Sequence, residues 1–178
     1  MTLGKIEATL DEALNKKAPV QIPPKGRKAL ADALWLVALV LGIVQLLATY
    51  SLWEAGHKVH TLVEYANDLS LAYGGPAVSN ELGFFYYLSV LGLGAVAVLL
   101  LLAAPGLKGM RKDGWNFLFY SLLVQVVVAI ILLFADYGGF GDFLGASLGA
   151  LLGGYLLFQV RDIFVKHAPH AAKKADHE

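Results

Sequence analysis

Four long apolar runs, separated by short polar stretches, constrain this chain more than any other feature. They cover about 29–52, 82–104, 115–135 and 143–160, and the only charged residue within them is Asp32, close to the start of the first. About 20 apolar residues at 1.5 Å per residue cross the roughly 30 Å hydrocarbon core of a bilayer. The expected fold is therefore all-α, an integral membrane bundle of four transmembrane helices. Composition agrees, with 57% hydrophobic and only 16% charged residues. That balance leaves no stretch long enough for a separate soluble core.

The polar stretches carry their charge unevenly. Lys5, Lys16, Lys17, Lys25, Arg27 and Lys28 precede the first run. Lys108, Arg111 and Lys112 separate the second from the third, and Arg161, Lys166, Lys173 and Lys174 follow the fourth. The other side holds Lys58 alone among basic residues, with Glu54, Glu64, Asp68, Glu81, Asp136 and Asp142. Basic residues flanking spans stay on the cytoplasmic side, so both termini are expected there. Fourteen basic and fourteen acidic residues give zero net charge and no electrostatic footprint for nucleic acid. The absence of cysteine removes disulfide exchange, thiolate metal sites and covalent haem attachment.

This divides the chain into three parts: 1–28, the transmembrane domain 29–161, and a cytoplasmic tail 162–178. In the first part, Leu3, Ile6, Leu10, Ala13 and Leu14 recur among Lys5, Glu7, Asp11 and Glu12. That spacing predicts a short cytoplasmic amphipathic helix, resting on the membrane interface or docking a partner, with an acidic polar face that does not favour anionic lipid. Pro19, Pro23 and Pro24 hold the linker after it extended. Between the first two spans, Leu52, Ala55, Val59, Leu62, Ala66 and Leu69 form a helical stripe. This extracytoplasmic amphipathic helix, about 53–73, either continues the first span or bends near Gly56. Tyr73-Gly74-Gly75-Pro76 ends it.

That helix holds the one ligand-like spacing in the chain. His57, His60 and Glu64 project from one face, and imidazoles with a carboxylate suit Zn²⁺. Three polar residues are equally expected on the solvated face of such a helix, so no metal or other cofactor is assigned. The fourth span carries the sharpest pattern. Gly141, Gly145, Gly149 and Gly153 recur every fourth residue, a stripe that admits a neighbouring helix closely. The neighbour is either another span, received at Gly92 and Gly94, or a second subunit. Within the stripe, Gly145-Ala146-Ser147-Leu148-Gly149 matches the G-x-S-x-G nucleophile pattern and resembles the serine motif of rhomboid intramembrane proteases. A serine nucleophile needs a base, and all five histidines lie outside the apolar runs, so Ser147 reads as a small packing residue.

Gln45 and Gln125 are the notable polar residues inside the spans. Trp35 and Trp115 precede them at one constant spacing, and Lys28 and Lys108 share the same offset, which hints at two duplicated hairpins. Each glutamine serves as a hydrogen-bonding contact between helices, or the two line a polar path with Thr49, Ser89, Asn116, Ser121 and Tyr155. No acidic, basic or histidine side chain sits at mid-span, which argues against an ion-coupled transporter. The same absence removes bis-histidine haem ligation and a di-metal site. No phosphate loop or nucleotide motif is present.

Leu10-Asp11-Glu12-Ala13-Leu14, Lys17-Ala18-Pro19 and Gly26-Arg27-Lys28-Ala29-Leu30 together resemble the first third of certain small four-span bacterial inner-membrane proteins. The resemblance implies an inner-membrane location and no activity. The expected function is a non-enzymatic scaffold, assembly or accessory subunit that acts through helix packing. Its partners are the lipid bilayer and either a second copy or another membrane protein. The alternative is a small channel or facilitator lined by Gln45 and Gln125. A third reading is a lipid- or quinone-binding protein.

Overall fold

The computed structural model describes residues 3–18, 20–76, 83–132 and 140–166, and every described element is helical. Helix α1 (Leu3–Asp11) runs into one π-helical turn (Glu12–Lys16). It is followed by α2 (Pro24–Ala72), α3 (Phe84–Lys108), α4 (Lys112–Leu132) and α5 (Phe140–Lys166). The last four are long and apolar enough to cross a membrane, so the chain is a multi-pass membrane protein. The span boundaries drawn from hydropathy fall inside these helices, apart from Gly83, which precedes α3, and residues 82 and 133–135, which lie outside the described set. Helix α5 runs on to Lys166, past the expected start of the tail at 162, and the tail from 167 onward lies outside the described set.

Helix α2 starts earlier and ends later than its apolar run. Pro24 takes the first helical position, where its missing N–H costs nothing. The helix then continues unbroken through Gly56 to Ala72, so the first span and the amphipathic stretch are one element. Its end follows the breaker chemistry seen in the sequence. Gly74 adopts φ +74, its N–H donates to Leu71, and the Gly75 N–H donates to Ser70. Those two bonds satisfy the last carbonyls in a Schellman arrangement that the left-handed glycine permits.

The α3–α4 corner repeats that cap with a less suitable residue. Met110 sits at φ 51, with its N–H on Leu107 and the Arg111 N–H on Gly106. Two glycines flank the corner and let the backbones touch. A side chain at Gly106 would lie 2.7 Å from Gly114 Cα, and one at Gly114 would lie 2.3 Å from the Leu107 nitrogen.

Helices α2 to α5 form an up-and-down bundle in chain order. Along α2 and α3, Gly42 meets Leu101, Thr49 meets Gly94 and Gly56 meets Tyr86, one antiparallel register. Because α3 starts at Phe84, α2 from about Val59 to Ala72 runs on past it by roughly 20 Å. Leu62, Tyr65 and Leu69 on that extension are exposed. Gly92 of α3 receives Val128 of α4. Between α4 and α5, buried Trp115 stacks on Phe119 at 5.5 Å, and Phe158 meets both rings edge-on. The Trp115 indole N–H donates to the Leu157 carbonyl at 3.0 Å. Helix α5 packs on α4 less extensively than the other neighbouring helices pack on each other, and it touches α2 only lightly, leaving a seam between α2 and α5.

Helix direction gathers the basic residues at one end of the bundle, where α2 begins, α3 ends, α4 begins and α5 ends. The two hairpins there share one arrangement. Lys108, closing α3, lies over the Trp35 ring at 5.1 Å, and Arg161, near the end of α5, lies over Trp115 at 5.7 Å. The two cations do not keep the constant offset of the two tryptophans, and Trp35 is half-buried whereas Trp115 is fully buried.

Candidate functional site

The glycine stripe of α5 does not find a partner span. A side chain added at Gly141, Gly145 or Gly149 would meet nothing within 4 Å, and one at Gly153 only Leu122 at 3.8 Å. Beside them Leu144, Leu148, Leu151 and Leu152 are exposed. The two glycines expected to receive the stripe are used elsewhere, Gly92 against Val128 and Gly94 against Thr49. The close intramolecular contacts instead use Gly42, Gly56, Gly92, Gly106 and Gly114. The α5 stripe is thus a smooth apolar face left open in the single chain.

Gly149 and Gly153 also edge the α2–α5 seam, a slot of about 260 Å³ whose walls include Leu34, Val37, Leu41 and Gln125. The Gln125 side chain is exposed at this slot and has no hydrogen-bond partner among the described residues. Gln45 does not line it. The hydroxyls expected to extend a polar path are already engaged. Thr49 donates to Gln45, Ser89 to Phe85, Ser121 to Leu118 and Tyr155 to Val20, in each case to a backbone carbonyl. Neither a wall shared by the two glutamines nor a row of free hydroxyls is present among the described residues. Liposomes carrying the wild-type chain should therefore show no solute flux above protein-free background. Flux abolished by Gln45→Leu with Gln125→Leu would contradict this.

The polar contact between helices is made by a glutamine that hydropathy did not single out. Gln159 is 1% exposed, donates to the Leu14 carbonyl at 3.2 Å and accepts from the Ile22 N–H at 3.4 Å. Two residues further along, Arg161 places Nε and Nη2 on Glu7 Oε1 at 3.0 and 2.7 Å, and Nη1 lies 3.8 Å from Asp11. Glu7 and Asp11 of the acidic face of α1 are therefore turned onto α5. Ile6, Leu10 and Leu14 pack against the core beside it. Asn15, buried, donates to Asp11 at 3.2 Å and completes the cluster. The signal in the sequence was the i, i+4 pair Glu7 and Asp11 bordering the apolar stripe, opposite one arginine placed where the fourth apolar run ends.

On the α2 extension, His60 Nδ1 lies 3.6 Å from Glu64, and Lys58 pairs with Glu54 at 2.7 Å. His57 and His60 line a shallow hollow of about 190 Å³ with Trp53, Gly56, Tyr86 and Tyr87. Gly56 lets the Tyr86 ring against α2, where its hydroxyl donates to the Leu52 carbonyl. Among the described residues no three His, Asp or Glu side chains gather as a metal site would require. Comparison of the chain with protein-family models, curated proteins and solved structures finds no match in any of the three.

Proposed function

We propose that this chain is a non-enzymatic membrane protein of the bacterial inner membrane, a scaffold, assembly or accessory subunit that works by packing its helices against another membrane-embedded chain. The observation that carries the reading is the open glycine stripe of α5. In a helix interior each glycine is about 1 kcal/mol less favourable than alanine. The bundle gains no contact from Gly141, Gly145 or Gly149 to offset that. A second helix lying on the stripe would supply it through close van der Waals packing, which lipid chains cannot match. Gln125 supports the same reading, because an unpaired amide in hydrocarbon favours a hydrogen bond across a helix contact. The basic end of the bundle faces the cytoplasm, which puts both termini inside and the α2 extension outside.

Gly149→Leu tests this directly. A Cβ at 149 has no atom of its own chain within 4 Å, and the rest of the side chain has the open face and the slot beside it to occupy, so helix content and thermal midpoint should stay at wild-type values. The mass of the assembly purified in mild detergent should fall to that of the single chain. An unchanged assembly would remove the stripe as an intersubunit face.

A further inference from the structure

We propose that the seam between α2 and α5 holds one anionic glycerophospholipid, with its headgroup at the basic end of the bundle and one acyl chain in the apolar slot above. Two hollows lie along this seam. The one at the basic end has a volume of about 520 Å³ and is lined by Pro24, Lys28 and Asp32 of α2, Met110, and Ile163 and Lys166 of α5. The second, about 260 Å³, lies further along the same two helices, between Leu34, Val37 and Leu41 on one side and Leu156 and Gly153 on the other, with Leu118, Leu122 and Gln125 of α4 at its back. On α5, Gly149, Gly153, Leu156 and Ile163 fall on one helical stripe, with Lys166 the i+3 neighbour of Ile163 at its edge, so adjoining parts of one face line both hollows.

The chemistry changes along the seam as it does along a phospholipid. Among the described residues, neither Lys28 nor Lys166 makes an ion pair, and both residues line the headgroup hollow. Two lysines and the Asp32 carboxylate leave this lining with one excess positive charge, which a single phosphodiester neutralises. Asp32, an acceptor only, then suits a headgroup that also carries hydroxyls. That combination describes phosphatidylglycerol better than a headgroup bearing its own ammonium. The basic end is also where anionic lipid is attracted to a membrane protein, at about 1 kcal/mol per lysine near the surface. Beyond the headgroup the walls become mostly leucine, valine, alanine and glycine, with Ser121 and Gln125 as the polar members, so most of the lining offers an acyl chain the surroundings it has in the bilayer.

The test is native mass spectrometry of the delipidated full chain after titration with phosphatidylglycerol or phosphatidylethanolamine. Wild type should retain one phosphatidylglycerol, saturably and in preference to phosphatidylethanolamine. Lys28→Gln with Lys166→Gln, two exposed positions, should weaken retention about thirtyfold. Val37→Trp, which fills the slot without changing charge, should lower retention with the headgroup site intact, a loss that surface adsorption would not show. Unsaturable uptake that is equal in wild type and the lysine variant would overturn the proposal. So would equal retention of the two lipids, which removes the charge argument, or wild-type retention by Val37→Trp, which removes the acyl slot. None of these variants alters Gly141, Gly145 or Gly149, so failure here is separate from failure of the assembly reading.

Discussion

Gly114→Ala should separate α3 from α4 and lower stability by ~3 kcal/mol, at the upper end for overpacking. The added methyl would lie 2.3 Å from the Leu107 nitrogen and 2.5 Å from the Gly106 carbonyl carbon. Both are backbone atoms of α3, so no side chain can rotate to make room. The corner itself resists displacement, because only Gly109, Met110 and Arg111 join the two helices and their N–H groups are fixed on the carbonyls of α3. Thermal unfolding followed by tryptophan fluorescence reads the effect, since Trp115 is the residue after Gly114 and fully buried. A wild-type midpoint for Gly114→Ala would mean that the helices do not approach as closely as described. The comparison with Gly149→Leu is informative, because there a larger side chain on a helix of the same bundle is expected to leave the midpoint alone.

Arg161→Ala is expected to have the next largest effect, ~3 kcal/mol, through loss of the partner of two carboxylates that are largely buried. The Glu7 side chain is 20% exposed and that of Asp11 only 9%. Without the guanidinium, their remaining cationic partner is Lys16, 3.7 Å from Asp11. Helix α1 should then leave α5, and hydrogen exchange should lose protection over Leu3–Asp11 while α3 and α4 retain theirs. Arg161→Met combined with Glu7→Leu should restore much of that protection, because apolar side chains of similar size fill the site without a stranded charge. Unchanged exchange in α1 after Arg161→Ala would show that the ion cluster does not hold the helix.

How much of this could be read from the chain depends on what a pattern records. Length and hydropathy mark the four spans because crossing a bilayer requires a minimum run of apolar residues. The end of α2 was equally legible, since Gly74 and Gly75 have few other conformational uses. Which helix faces meet was not. Spans apolar on all sides show no amphipathic stripe to mark the buried face. The longest small-residue stripe therefore drew the expectation of an internal contact, while isolated Gly106 and Gly114, one on each side of a corner, make the closest approach. What the acidic face of α1 meets was not legible either, because Arg161 is brought to Glu7 and Asp11 from the far end of the chain. Gln159 sits at the boundary of the fourth apolar run, where a polar residue attracts no notice, and it binds two segments more than a hundred residues away.

The central claim is that the open face of α5 belongs to an assembly, and native mass spectrometry of the wild-type chain, extracted in mild detergent from its own membrane, tests it most directly. The account predicts a discrete species heavier than one chain, either a closed homo-oligomer or a stoichiometric complex with a second membrane protein. A monodisperse single chain, retaining at most bound lipid, would contradict it.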